Sequence, residues 1–263
     1  MNQPVPGFEE FTFAAEGFTH RVLKKGDDTR PAVLIIQELP GITHHTLELA
    51  QRLHDDGFTV YLPVLFGEPD SPYQPGKNLA KLCIGREFRI LTRRGRGPVA
   101  DYLRALCRHM QQACGGIPVG AIGMCFTGGF VLTLMIDDAV AAPVMSQPAH
   151  VDGMLDYVTR QPTVGVPAED FAAAKARSER DNVPVMGLRF TADVTCPNAR
   201  FDYLAQELGE RFRRIEIDSS LSNRFGIKPW AHSVLTVDFV DEPGHPTRHA
   251  YNEVVAFFRE RLV

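Results

Sequence analysis

Six short apolar runs, spaced along the chain with helical segments between and after them, constrain this sequence more than any other feature. They occupy residues 32–36, 59–62, 117–122, 140–144, 185–190 and 214–217. The first, Ala32-Val33-Leu34-Ile35-Ile36, has no polar alternation, which marks a strand covered on both faces. The intervening segments, 47–53, 99–110, 130–136, 167–180, 200–208 and 248–262, carry apolar residues at helical spacing. Segment 167–180 opens on Pro167 and is rich in alanine, a strong helix opening. Strands alternating with helices predict an α/β architecture, a mostly parallel central sheet with helices on both faces. With 263 residues, 44% of them hydrophobic, the chain can bury a large core, and one domain spanning 1–263 is the simplest fit.

Charge and cysteine usage narrow the function classes. A net charge of −4 gives no drive toward nucleic acid or an anionic membrane. The five cysteines, at 83, 107, 114, 125 and 196, are scattered and lack zinc spacing, so neither a disulfide framework nor a metal site is expected. The first residues have no basic stretch leading into an apolar one, and no run approaches the roughly 18 apolar residues of a membrane span. A cytoplasmic protein without cofactor, a monomer or small homo-oligomer acting on a small molecule, is expected.

Two irregular segments, 66–98 and 146–166, interrupt the alternation. The first carries Lys77, Lys81, Arg86, Arg89, Arg93, Arg94 and Arg96 against Glu68, Asp70 and Glu87. That is either a solvated basic face or the seat of an anionic ligand.

The chemistry concentrates where the run at 117–122 gives way to Gly123-Met124-Cys125-Phe126-Thr127-Gly128-Gly129. A nucleophile on a sharp strand-to-helix turn needs small neighbours so that backbone can approach closely, and Cys125 sits among glycines. The other reading is a small buried hydrophobe, the usual fate of a free cysteine. A thiol nucleophile requires a base and a carboxylate to orient that base. Asp193 follows the run at 185–190 directly, on the side of a parallel sheet where ligands bind. His232 lies in the loop between the run at 214–217 and the last helix, whereas His245 and His249 sit in a turn and the opening of that helix. His44, near a helix start, is a candidate substrate contact. Glu38, in Gln37-Glu38-Leu39-Pro40-Gly41 at the end of the first run, is either an exposed strand end or a second acid facing Cys125.

Taken together, the Gln-Glu-x-Pro-Gly turn, the cysteine elbow, Thr191-Ala192-Asp193 and Ala231-His232-Ser233 resemble the dienelactone hydrolase family of α/β-hydrolases. The resemblance implies an α/β-hydrolase fold and a Cys125–Asp193–His232 triad. It also implies that Glu38 holds the thiol at rest and helps form thiolate once substrate enters, and that the backbone N–H groups of Leu39 and Phe126 form an oxyanion hole. The implied activity is hydrolysis of a small ester or lactone. Two positions depart from the family pattern: Thr127 stands where glycine is usual, and the loop after His232 lacks a second substrate-binding arginine. Arg86 is the best candidate for the first, and Trp230 and Phe126 suit a more apolar substrate. An acyltransferase or thioesterase would share the triad, and a ligand-binding module on this fold would need no triad at all.

Overall fold

The computed structural model describes residues 4–70, 98–149 and 164–263. Strands β1 (Glu9–Ala15) and β2 (Phe18–Lys25) come first. Then follow β3 (Ala32–Ile36), α1 (His44–Asp55), β4 (Thr59–Pro63), α2 (Pro98–Ala113), β5 (Val119–Met124), α3 (Phe130–Leu134) and β6 (Val140–Ser146). The chain continues with α4 (Ala168–Asp181), β7 (Val185–Phe190), α5 (Asn198–Leu208), β8 (Phe212–Ile217) and α6 (Pro246–Leu262). All eight strands form one sheet in the order β1-β2-β4-β3-β5-β6-β7-β8. From β4 to β8 every neighbouring pair is parallel, while β2 joins β4 antiparallel.

Every residue of β3 through β7 is buried, as expected of strands covered on both faces, Arg189 of β7 included. The sheet divides the core into two layers. Ala32, Leu34 and Ile36 of β3 pack with Leu103 and Leu106 of α2, Leu132 of α3 and Phe201 of α5. Val33 and Ile35 face the other way, onto Leu49 and Leu53 of α1 and Val254 and Phe258 of α6. Alternate side chains of one strand therefore feed opposite helical layers, the arrangement expected from the sequence.

The β1–β2 hairpin is an addition to the strands read from sequence. Its first strand is half-buried, with Phe11 and Phe13 packed edgewise on Tyr61 and Tyr102, so it shows alternation rather than an apolar run. Glu16 and Gly17, with φ of 52° and 78°, make the tight reversal between the strands. The candidate site lies where the parallel strands end: Glu38 beyond β3, Cys125 beyond β5, Gln147 beyond β6 and Asp193 beyond β7. Most of the irregular segments 66–98 and 146–166, and Arg86 with them, lie outside the described residues.

Candidate active site

Cys125 directly follows β5 and opens a single 3₁₀ turn, Cys125–Thr127, that leads into α3. Its φ is +54°, a left-handed conformation that a side-chain-bearing residue adopts only where its surroundings enforce it. The enforcement is close packing. A Cβ on Gly123 would stand 2.3 Å from the Thr127 carbonyl oxygen, and one on Gly129 would stand 2.4 Å from that of Val164. The Cys125 carbonyl accepts the N–H groups of Gly128 and Ala149, each at 2.9 Å, which ties the turn to the chain beyond β6.

Thr127 fits this turn through its hydroxyl. Buried at 1% exposure, it accepts the Met124 N–H at 3.0 Å and donates to the Met124 carbonyl at 2.8 Å. The Ile36 carbonyl, at 3.3 Å, brings the end of β3 within reach of the same group. Where a glycine would leave space, the threonine fills it and joins two strand ends. Thr127→Val keeps the shape and orphans the Met124 N–H. Its expected cost is about 1–3 kcal/mol of stability, read from the midpoint of urea denaturation.

Asp193 is buried, and its Oδ2 lies 2.6 Å from Nδ1 of His232. Its other oxygen accepts the Thr195 N–H at 2.9 Å, the Thr195 hydroxyl at 2.7 Å and the Cys196 N–H at 3.3 Å. The Thr195 oxygen also lies 3.0 Å from Nδ1 of His232. Since the Thr195 proton is committed to Asp193, that oxygen acts toward the ring as an acceptor, and Nδ1 carries the hydrogen. Burial raises the Asp193 pKa, but the hydrogen bonds and charge of His232, with those of Thr195, prevail and leave it lowered. Burial lowers the His232 pKa, yet the bond to Asp193 and the influence of the Cys125 side chain outweigh this and hold it well above the usual histidine value.

Two buried arginines hold the Asp193 loop. Arg189 donates to the carbonyls of Cys196 at 2.8 Å and Thr191 at 2.9 Å and pairs with Glu216. Arg200 donates to the carbonyls of Thr195 at 3.0 Å and Pro148 at 2.5 Å. The acid thus rides on a loop fixed at both ends by rigid guanidinium forks.

Glu38 is a buried carboxyl rather than an exposed strand end. Its Oε2 accepts Ser233 Oγ at 2.9 Å and Gln147 Nε2 at 3.1 Å, and its Oε1 accepts the Thr236 hydroxyl. Burial drives its pKa upward against these hydrogen bonds and the charge of His232. Asp238 accepts the N–H groups of both His232 and Ser233, at 2.8 and 2.9 Å, and so fixes the histidine loop from behind. Gln147, Thr195, Thr236 and Asp238 carry no sequence motif of their own. Only the second arginine missing after His232 hints at Thr236, which is bonded to Glu38 instead.

Cys125, Asp193 and His232 open into a cleft of about 740 Å³ whose wall includes Leu39, Phe126, Val194 and Trp230. Trp230 is 77% exposed at this wall, and the aromatic ring of Phe66 lies 6.0 Å from that of Phe126. His44 does not join the cleft: it is exposed at the start of α1, its ring 3.8 Å from that of His45. His245 is the N-cap of α6, accepting the Thr247 N–H, and stands apart from the site. Among the described residues, no cluster of three or more His, Cys, Asp or Glu side chains could hold a metal ion. Nor is any described helix long and apolar enough to cross a membrane.

A sequence profile of the dienelactone hydrolase family matches residues 19–219. The chain belongs to this family. The matched residues include Glu38, Cys125 and Asp193 and stop short of His232, whose place rests on the geometry above. No curated protein matches the sequence. Among solved structures, a dienelactone hydrolase from Anabaena variabilis superposes with a TM-score of 0.60 at 13% identity, covering 98% of this chain and 100% of that one. A dienelactone hydrolase-like promiscuous phosphotriesterase from metagenomic libraries gives 0.60 at 15% identity, covering 97% and 98%. An esterase from Pyrococcus furiosus gives 0.64 at 11%, covering 97% and 91%. At these identities the likeness is one of fold, and it fits the α/β-hydrolase sheet order found here. Family membership makes this dienelactone hydrolase relative a hydrolase of small molecules.

Proposed function

We propose that this dienelactone hydrolase relative cleaves a small ester or lactone through a cysteinyl acyl-enzyme. The observation that carries the reading is the His232 imidazole, bonded at Nδ1 to Asp193 at 2.6 Å and lining one cleft with Cys125. A histidine held well above its usual pKa between a carboxylate and a thiol can carry the thiol proton, leaving thiolate. The thiolate attacks the carbonyl carbon, and the oxyanion is received by the N–H groups of Leu39 and Phe126, both on the cleft wall. His232 protonates the leaving alkoxide as the tetrahedral intermediate collapses to the thioester. It then takes a proton from water, whose oxygen displaces the sulfur, and returns that proton to Cys125.

The apolar wall of Leu39, Phe126, Val194 and Trp230 suits an uncharged acyl or alcohol group. Arg86 is reserved as the candidate partner for a substrate carboxylate. A thiol nucleophile calls for a reducing compartment, and on that ground we place the protein in the cytoplasm. The test is a burst titration with p-nitrophenyl esters and small lactones, before and after iodoacetamide, with the alkylated cysteine mapped by mass. Turnover lost in step with labelling of Cys125 is the expected result. Turnover that survives full labelling of Cys125 overturns the reading.

A further inference from the structure

Two large apolar side chains on the wall of the cleft stand mostly in water, Trp230 at 77% exposure and Val194 at 72%. Surface of that kind gives up the gain that burial brings the same residue types in the core, and beside a cleft it points to a binding role. Trp230 stands two residues before His232, and Val194 lies between Asp193 and Thr195. The two loops meet at the base, since Asp193 Oδ2 and Thr195 Oγ1 lie 2.6 and 3.0 Å from Nδ1 of His232. The apolar pair therefore belongs to the histidine side of the cleft. Leu39 and Phe126, whose N–H groups are the proposed oxyanion donors, belong to two other segments, those that follow β3 and β5.

An ester splits between its carbonyl carbon and its alcohol oxygen, and the alcohol half leaves on the side of the group that protonates it. In the reaction proposed above, on which this inference rests, that group is His232. We infer that Trp230 and Val194 form the subsite for the alcohol half of the substrate, and that this half is aromatic or bulky and apolar. An indole offers an aromatic ring an offset-stacked or edgewise partner, and only an alcohol group large enough to reach Trp230 takes it out of water. The cleft has the room: about 740 Å³ falls within the roughly 300–1,000 Å³ of sites that enclose drug-sized ligands. In a lactone, whose two halves share a ring, the same subsite takes the substituent on the carbon that bears the ring oxygen.

The experiment compares two ester series: methyl, benzyl and 2-naphthylmethyl acetate vary the alcohol half, and methyl acetate, hexanoate and phenylacetate vary the acyl half. In Trp230→Ala, kcat/KM for the two aromatic acetates should fall by about 10- to 50-fold, while the methyl esters hold within about twofold. Trp230→Phe should restore most of the loss. The acetates share one acetyl-enzyme, so the rate of its hydrolysis should not change, a readout that general damage to the site would move. Trp230 is also the chain's one tryptophan, so its fluorescence reports the subsite without chemistry. Titrated with benzyl acetate, Cys125→Ala should shift its emission to the blue as the indole leaves water, and methyl acetate at the same concentration should leave it unchanged. Losses that are equal in the two series, confined to the acyl series or absent, or an emission that benzyl acetate does not move, overturn the inference and leave the Cys125 chemistry standing. Hydrolysis that survives full alkylation of Cys125 is a separate failure, that of the proposed reaction, and takes the inference down with it.

Discussion

Cys125→Ala is expected to lose on the order of 10⁶-fold in kcat and all of its burst, because it removes the proposed nucleophile on which the acyl chain would rest. The substitution is small and should fold: Cys125 is only part-buried, and the hydrogen bonds that hold its turn come from its own carbonyl and from Thr127. A circular dichroism spectrum and an unchanged melting midpoint would accompany the loss. His232→Ala should be inactive to the same degree, since the nucleophile and its base act as one unit and their losses do not add. His245→Ala serves as the contrast. That side chain caps α6, so its removal should cost about 1 kcal/mol of stability and leave turnover nearly whole. A dead His245→Ala beside an active His232→Ala would reverse the assignment of the base.

Asp193→Asn should lower kcat by about 10⁴-fold while preserving the fold. Its amide nitrogen at the position of Oδ2 would donate to Nδ1, forcing the hydrogen onto the other ring nitrogen, the one that must accept the thiol proton. The same variant carries a pH signature in stability. Asp193 has its folded pKa lowered from 3.8, so its contribution is present above that value and fades as pH falls through the folded pKa. His232 has its folded pKa raised from 6.5, so its contribution is complete below that value and fades as pH rises through the folded pKa. Wild type should therefore exceed Asp193→Asn by most between about pH 4 and 6.5, with the gap narrowing on both sides in urea titrations. A gap independent of pH would mean that the two groups are not coupled.

The parallel strands can be read from the sequence because burial on both faces leaves runs such as Ala32-Val33-Leu34-Ile35-Ile36 with no polar break. The β1–β2 hairpin escapes the same test because its strands are half-solvated, although Glu16-Gly17 between alternating phenylalanines is a usable turn signal. At the site, Cys125, Asp193 and His232 announce themselves by following apolar runs or standing in a late loop, and they line one cleft. Thr127 reads as a misfit in a glycine position and turns out to be a hydrogen-bonding tie. Gln147, Thr195 and Asp238 are ordinary polar residues whose importance depends on which loops the sheet brings side by side, a relation that no local pattern carries. His44 illustrates the reverse: helix-start placement near the first strand did not bring it to the cleft.

The bonds from Ser233 and Thr236 to Glu38 span 195 and 198 residues of chain. During synthesis the elbow and most of the sheet can form while the histidine loop is still inside the ribosome. On the reading proposed above, the thiol folds before its base, and hydrolytic competence waits for the loop at 232–236 to close onto Glu38.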